Sequence, residues 1–273
     1  MKKLIINLLF FMFTASLFAN KPLIVTSVFP VKDLVSRVTK DRADVKFVIP
    51  VGANPHTFEP TPLQAKIIEN ADIFIGVSRQ FDGWIEKYLN KNAKVFYIMK
   101  GSKNPHIWLS FSTACGVVYS TYHFLSKIDP KNKEFYHKNY LNYAKEIQET
   151  RIKYFKKFLK LKEVPVIQYH PAWEYLARDL NLRIIATIYP TNNKIVSIKT
   201  LTTILKLAQK VKARGILCSL NTKDKVIDVY LNEVKGLKKI ELDPIGDPDS
   251  KDRNSFLKLM EFNCERIYRA LSQ

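Results

Sequence analysis

One long segment of this sequence contains neither glycine nor proline, from Lys131 to Lys162. Aromatic and aliphatic residues recur in it at three- and four-residue spacing between Phe135 and Ile147, which is typical of an amphipathic helix. A helix of that length would measure roughly 45 Å at about 1.5 Å per residue. Asp129 and Pro130 come just before it and favour a helix start, because aspartate caps helices and proline suits the first turn. We therefore predict one long connecting helix over 130–162, with a helix broken in its middle as the alternative.

Short β-branched runs alternate with longer amphipathic runs on both sides of this segment, and one of the amphipathic runs predicts a helix near 82–90. The strand candidates form two groups of four, in chain order Leu23–Val28, Val45–Ile49, Ile73–Val77 and Val95–Ile98, then Val164–Gln168, Arg183–Ile188, Gly215–Cys218 and Lys239–Leu242. Strands that alternate with helices predict parallel sheets with helices on both faces. We therefore predict an α/β fold with two lobes, 20–129 and 163–273. Each lobe is a four-stranded parallel sheet flanked by helices, and the long rigid helix joins them.

The composition is that of a globular protein, since apolar residues make up 47% of the 273 residues and charged residues 25%. This balance excludes a disordered chain, a collagen-like fibre and a coiled coil. Three cysteines exclude a small scaffold held together by many disulfides. Cys218 and Cys264 both fall in the second lobe, where an oxidising compartment would permit a bridge, and the sequence leaves that question open.

The first nineteen residues have the pattern of a secretory signal peptide. Lys2 and Lys3 precede an apolar run that ends at Phe18, and Ala19 supplies a small residue for cleavage. We therefore predict a signal peptide over 1–19 and an exported protein; a membrane anchor is the alternative. No cysteine lies near the cleavage point, so we expect no lipid attachment there. No other apolar run is long enough to span a bilayer.

The chain is strongly basic, with 44 Lys and Arg against 25 Asp and Glu and a formal net charge of +19. A basic chain suggests nucleic-acid binding, but export argues against it and the lysines are spread along the sequence. We therefore expect no nucleic-acid partner. The charge is interpreted as a solvated surface that can also keep the protein near anionic membranes.

Three of the five histidines lie just beyond strand candidates. His56 and His106 each end the same tripeptide, Asn-Pro-His, and His170 is followed by Pro171. Asp243 comes directly after the last strand candidate and occupies the matching place in the second lobe. Ligands of open α/β sheets bind beyond the carboxyl ends of the strands, so these four side chains are expected to meet at one cleft. Surface histidines and an aspartate in a turn are the alternative.

Three imidazoles and one carboxylate suit a divalent transition metal such as Zn²⁺, whereas calcium and magnesium prefer oxygen ligands. Free histidine has a pKa of about 6.5, so metal affinity is expected to decrease when the pH drops below roughly 6. His123 and His137 lie inside helical runs with no proline and no strand before them, so we assign them to packing or to the surface.

At these residues the chain resembles the metal-specific (cluster A-I) periplasmic solute-binding proteins, which are the zinc and manganese receptors of ABC importers. The stretches that carry the resemblance are Gly52 to Pro62, Asn104 to Ser110, Tyr169 to Leu176 and Leu242 to Gly246. The resemblance implies two four-stranded lobes, one rigid joining helix and a metal held between the lobes. It also implies docking on a membrane permease driven by an ATPase. We further predict that the protein is periplasmic, monomeric and without enzyme activity.

The family's ligand positions carry over to His56, His106, His170 and Asp243. Some members have glutamate at the third position, which goes with manganese, so His170 favours Zn²⁺ over Mn²⁺. Many zinc members also carry a loop rich in histidine and acidic residues near the cleft, but 81–103 contains no histidine. A manganese receptor of the same type is therefore kept as an alternative.

Four further residues lie close to the predicted ligands in sequence. Glu59 lies three residues after His56 and Glu174 four after His170, so either could orient an imidazole by accepting its second N–H. Trp108 and Trp173 could shield the cleft from water. Surface acids and ordinary core packing are the alternatives.

A secreted zinc metallohydrolase is the second functional hypothesis, with Glu59 or Glu174 as the general base. The predicted fourth protein ligand argues against it, because it would take the place of the catalytic water. A surface adhesin is a third hypothesis, but nothing in the sequence indicates an adhesive surface. We therefore predict a carrier that captures Zn²⁺ and delivers it to an importer.

Overall fold

Eight short strands form two parallel sheets of four in the computed structural model, which describes residues 21–101, 104–161, 163–190 and 196–273. The first sheet contains β1 (Leu23–Thr26), β2 (Asp44–Phe47), β3 (Ile73–Gly76) and β4 (Lys94–Tyr97), in the order β2-β1-β3-β4. The second contains β5 (Pro165–Gln168), β6 (Arg183–Thr187), β7 (Gly215–Ser219) and β8 (Lys238–Leu242), in the order β6-β5-β7-β8. The predicted α/β class with two parallel sheets is confirmed. The signal peptide predicted over 1–19 lies outside the described residues.

The strands within each sheet are parallel because a helix in each connection carries the chain back to the end of the sheet where the previous strand began. The helices are α1 (Phe29–Thr39), α2 (Pro62–Glu69), α3 (Arg79–Asp82), α4 (Phe111–Ile128), α5 (Lys133–Leu159), α6 (Glu174–Asp179), α7 (Ile198–Val211), α8 (Lys225–Glu233) and α9 (Phe256–Ser272). Helices on both faces bury the central strands, and all four residues of β3 are buried. The helix predicted near 82–90 is instead a 3₁₀ segment, Gly83–Tyr88.

The long connecting helix is confirmed as an unbroken α5, preceded by a 3₁₀ turn at Pro130–Asn132. Its buried side chains recur at seven- and four-residue spacing: Tyr136, Tyr143, Ile147, Tyr154 and Phe158. This face packs on α1 and α4 from the first half of the chain and on α9 from the second. The helix is therefore a shared core element for both sheets.

Asp129 does not cap this helix in the predicted way, because its side chain accepts no backbone N–H. Its Oδ2 instead accepts hydrogen bonds from Asn132 Nδ2 and Tyr136 Oη, each at 2.7 Å. The carboxylate therefore stabilises the first turns through side chains.

Buried hydrogen bonds join the two lobes, here meaning the two sheets with their flanking helices. Asp179 at the end of α6 accepts from the hydroxyl of Ser110 at 2.6 Å and from the backbone N–H of Ser112 at 3.1 Å. Trp108 Nε1 donates to the carbonyl of Pro244 at 2.7 Å. The lobes are thus held in a defined orientation, while their predicted boundaries, 20–129 and 163–273, stay a prediction.

Cys218 on β7 and Cys264 on α9 are both buried free thiols, so the bridge that the sequence left open is not formed. Across the residues described, no helix combines the length and the apolar character needed to cross a bilayer.

Candidate metal centre

Three of the four predicted ligands meet at one point. The imidazole nitrogens of His56, His106 and His170 that face one another all lie within 4.8 Å. The Nε2 atoms of His56 and His106 are 3.4 Å apart, and the three ring centroids are separated by 5.2 to 5.4 Å. Two histidines come from the first lobe and one from the second, so the cluster spans the boundary between them.

The strand-end position of each histidine explains this convergence. His170 follows β5 by two residues, while His56 and His106 stand in longer loops after β2 and β4. The carboxyl ends of parallel strands lie at one edge of each sheet, and these two edges face each other across the cleft. In both longer loops the asparagine side chain of Asn-Pro-His accepts a hydrogen bond from the backbone N–H of the histidine. The distance is 3.0 Å both from His56 to Asn54 and from His106 to Asn104.

Asn104 also determines which nitrogen of His106 is available. Its Oδ1 lies 2.8 Å from His106 Nδ1, and its Nδ2 donates to Glu174 Oε2 at 3.0 Å. Since the amide nitrogen faces a carboxylate, the amide oxygen faces the ring and accepts the Nδ1 proton. The lone pair of His106 then resides on Nε2, which points at His56. This role of Asn104 was not predicted from the sequence, although the repeated Asn-Pro-His tripeptide was the available signal.

Glu174 and Glu59 do not accept an imidazole N–H as the sequence analysis expected. Glu174 Oε1 accepts from Gln168 Nε2 at 3.2 Å and Oε2 accepts from Asn104, so Glu174 acts on His106 through that amide. Glu59 is exposed and has no hydrogen-bond or ion-pair partner among the residues that the structure describes. Glu59 therefore does not orient His56 through a hydrogen bond in this structure.

The two tryptophans are both buried, at 1% exposure, but in different surroundings. Trp108 lines the cavity, and its ring lies 5.4 Å from that of His106 and 5.3 Å from that of Phe81. Trp173 is part of the hydrophobic core and is absent from the cavity wall. Only Trp108 therefore takes the predicted place beside the histidines.

A cavity of about 470 Å³ opens beside the three histidines. Its wall includes Gly52 and Asn54 from the first lobe and Tyr169, Asp243 and Arg253 from the second. His123 and His137 lie elsewhere, on α4 and α5, where the ring of Tyr122 contacts both. Their assignment to packing or to the surface agrees with this position.

Burial lowers the pKa of all three clustered imidazoles below the usual 6.5. The pKa of His106 falls well below that value, because burial is reinforced by charge repulsion from His170 and His56. The pKa of His170 falls to about 4, mainly through burial and then through repulsion from His56. The three rings are therefore neutral at pH 7, which is the form that binds metal.

His170 has two buried ring nitrogens without a hydrogen-bond partner among the described residues. A backbone group of Tyr189 approaches the ring, but not with the geometry of a normal hydrogen bond. Buried polar atoms are nearly always paired, because an unpaired one costs about 1–3 kcal/mol. A cation bound to His170 would satisfy one of these nitrogens.

Asp243 lines the same cavity but lies outside the 4.8 Å group formed by the histidines. Its Oδ1 accepts the backbone N–H groups of Ile245 at 3.0 Å and Gly246 at 2.9 Å. Its Oδ2 accepts from Arg253 Nη1 at 2.8 Å. The predicted fourth ligand is therefore at the cleft with its charge already paired, and the sequence analysis did not identify Arg253.

Residues 24–270 match the family model described as ZnuA, zinc-uptake complex component A, periplasmic. The high-affinity zinc uptake system protein ZnuA of Bacillus subtilis is 29% identical over 187 residues, which is 59% of this chain and 59% of that protein. The zinc-binding lipoprotein AdcA of Streptococcus pneumoniae is 24% identical over 280 residues, which is 92% of this chain and 56% of that protein. The chain thus matches a little over half the length of these two relatives.

Solved structures share the fold across most of the chain. A manganese-bound periplasmic metal-binding protein from Candidatus Liberibacter asiaticus superposes with a TM-score of 0.78 at 20% identity, covering 92% of this chain and all of that one. The laminin-binding protein Lmb of Streptococcus agalactiae, described as having adhesin and metal-transporting activity, gives 0.77 at 24% identity over 92% and 99% of the two chains. At these identities the likeness establishes the fold.

Proposed function

The chain belongs to the ZnuA family of periplasmic zinc-uptake components, and we propose that it captures Zn²⁺ outside the cytoplasm and hands it to an ABC importer. The family resemblance stated from the four motifs is thereby confirmed. The observation that carries the proposal is the group of three imidazoles whose nitrogens lie within 4.8 Å of one another and whose pKa values are all lowered, so that they are neutral at pH 7. The proposed ligands are His56, His106 and His170, with Asp243 as the fourth.

The donor set favours Zn²⁺ over Mn²⁺. Imidazole nitrogens suit zinc, whereas manganese sites are richer in oxygen ligands. Among the described residues that line the cavity, Asp243 supplies the carboxylate, and its charge is taken up by Arg253. Mn²⁺ is the second candidate, since a solved structure of the same fold is a manganese-bound protein.

Capture and release both follow from the placement of the ligands on two lobes. The ion would be bound by His170 from the second lobe and by His56 and His106 from the first, so both lobes are needed to hold it. The partner we propose is a membrane permease driven by an ATPase, which would draw the loops of the lobes apart. Export through the 1–19 signal peptide, a chain without a lipid anchor, a monomeric state and the absence of a nucleic-acid partner all stay predictions.

The hydrolase hypothesis has less support in this geometry. A catalytic zinc site needs a general base beside the metal-bound water. Glu174 is engaged by Asn104 and Gln168, and Glu59 is exposed without a partner among the described residues. Members of the family are metal-binding transport components, and we propose that this chain has no enzyme activity of its own.

Growth and zinc uptake of a deletion strain test the proposal. The strain should grow poorly when a chelator limits zinc, and the wild-type gene should restore growth and ⁶⁵Zn uptake. The His170→Ala gene should fail to restore either, whereas His123→Ala, a histidine outside the cluster, should succeed. Equal protein levels in the periplasmic fraction make the comparison fair. Full rescue by His170→Ala, or normal growth of the deletion strain, would overturn the proposal.

A further inference from the structure

Arg253 and Asp243 form an ion pair on the wall of the metal cavity. Arg253 Nη1 lies 2.8 Å from Asp243 Oδ2, and the two side chains are 23% and 6% exposed. Both residues line the same cavity as the three histidines. A pair enclosed to this degree is screened little by solvent, so its strength bears directly on anything else that approaches the carboxylate.

Both oxygens of Asp243 are in use. Oδ1 accepts the two backbone N–H groups of Ile245 and Gly246, which fix the carboxylate in its turn. Oδ2 is held by Arg253. A metal that takes Asp243 as a ligand must therefore share Oδ2 with the guanidinium or displace it, because Oδ1 is committed to the backbone.

The guanidinium has two further partners besides Asp243. Arg253 Nε donates to Asp252 Oδ1 at 3.4 Å, and the guanidinium carbon lies 5.2 Å from the centre of the Phe262 ring. The side chain of Asp252 is 63% exposed. An Arg253 that leaves Asp243 therefore loses one carboxylate and keeps the contact with Asp252 and the stacking on Phe262.

We propose that Arg253 is an internal cation that competes with the bound metal for the carboxylate of Asp243 and so sets how tightly the ion is held and how fast it leaves. The proposal rests on the proposed function, since it concerns the same site. Arg253 has two effects, and both lower the affinity for the metal. It occupies Oδ2, and its positive charge repels a dication held by neutral imidazoles. A receptor that must surrender its cargo gains a faster release from such a competitor.

Metal titration of an Arg253→Gln variant tests this directly. The dissociation constant for Zn²⁺ is measured by competition with a chromogenic chelator, and the release rate by mixing the loaded protein with excess chelator. Removing the competitor should tighten Zn²⁺ binding by about tenfold and slow release, because the carboxylate is freed and a nearby positive charge is gone. Arg253→Lys, which keeps the charge, should remain closer to the wild type.

Arg266→Gln is the matched control. Arg266 stacks on the same Phe262 ring at 5.3 Å but donates to the carbonyl of Glu241 and has no bond to Asp243. Its loss should leave both Zn²⁺ constants unchanged. Thermal melting of each metal-free variant verifies that it is folded.

The Asp243→Asn background completes the test. Arg253→Gln should give a clearly smaller gain there, because the shared carboxylate is gone and only the charge repulsion is left to relieve. Unchanged or weaker binding by Arg253→Gln in the wild-type background would overturn the competitor role, and so would an equal gain in the Asp243→Asn background. Failure of the wild-type protein to bind Zn²⁺ at all would instead overturn the proposed function.

Discussion

The Nε2 atoms of His56 and His106 lie 3.4 Å apart, although fifty residues separate the two histidines in the sequence. Two nitrogens that each stand about 2.0–2.1 Å from a tetrahedral zinc ion are about 3.3–3.4 Å from each other. The two rings are therefore already spaced as ligands of one ion. Because burial keeps them neutral, this close approach costs little charge repulsion.

The first prediction concerns the amide that orients His106. Asn104→Ala should weaken Zn²⁺ binding by about 10- to 100-fold, because the Nδ1 proton loses its acceptor and the ring loses its fixed orientation. Glu174→Gln should weaken it less, since Glu174 acts only through Asn104. Calorimetric titration with Zn²⁺ measures both effects.

Glu59→Gln is the control for this prediction, because Glu59 is an exposed acid that follows a ligand in sequence. It should bind Zn²⁺ as the wild type does. A loss in Glu59→Gln as large as in Asn104→Ala would contradict the relay from Glu174 through Asn104 to His106.

The second prediction is the pH range of metal binding. Burial lowers the pKa of His170 to about 4 and that of His106 well below 6.5. Protons therefore compete with the metal only in more acidic solution than for free histidine, and Zn²⁺ affinity should hold as the pH falls below 6.5 and be lost as it approaches 4. The expected fall thus lies at lower pH than the value of roughly pH 6 predicted from the pKa of free histidine. A tenfold loss between pH 7 and pH 6 in competition titrations would contradict it.

The third prediction is the pH dependence of the metal-free fold. The folded pKa of His170 is about 4 against an ordinary value of 6.5, so the unfolded chain takes up the proton first as the pH falls. Stability is then complete above about pH 6.5 and is lost as the pH falls towards 4, by on the order of 3 kcal/mol for this group. Urea denaturation of the metal-free protein at several pH values measures the slope.

His170→Gln should flatten that slope, and His123→Gln should leave it as in the wild type. Asp82, whose pKa burial raises to about 6, contributes with the opposite sign, because its protonated form favours the fold as the pH falls. That contribution is common to all three proteins and cancels in the comparison. Identical slopes for His170→Gln and the wild type would contradict the assigned pKa.

The fourth prediction concerns the bond between the lobes. Asp179 is buried and accepts hydrogen bonds from Ser110, Ser112 and Arg151. Asp179→Ala should lower the free energy of unfolding by about 3 kcal/mol, because it leaves these donors unpaired. Glu69→Ala removes an exposed ion pair with Lys66 and should cost less than about 1 kcal/mol. Equal costs in urea denaturation would contradict the role of Asp179.

The elements that the sequence predicted correctly are those with a local signal. The β-branched runs located all eight strands among the described residues to within two residues at each end, and the segment free of glycine and proline located α5. The helix expected near 82–90 became a 3₁₀ segment because Asp82 turns its side chain inward to the backbone N–H groups of Val77 and Ser78. Nothing in the spacing of apolar residues reports such a bond.

The site was predictable where topology alone decides position. Histidines at the ends of parallel strands converge because the strands do, and His56, His106 and His170 meet as expected. Asn104 and Glu174 are bonded across seventy residues, and Arg253 reaches Asp243 from an irregular loop. Side-chain directions in loops follow no period, so these partners become visible only in three dimensions.

Elemental analysis of the purified, exhaustively dialysed protein measures whether the three histidines hold one zinc ion. We expect one zinc ion per chain in the wild type and in His123→Ala, and almost none in His56→Ala, His106→Ala or His170→Ala. A full equivalent of zinc retained by the single variants, or a wild-type protein that keeps no metal, would contradict it.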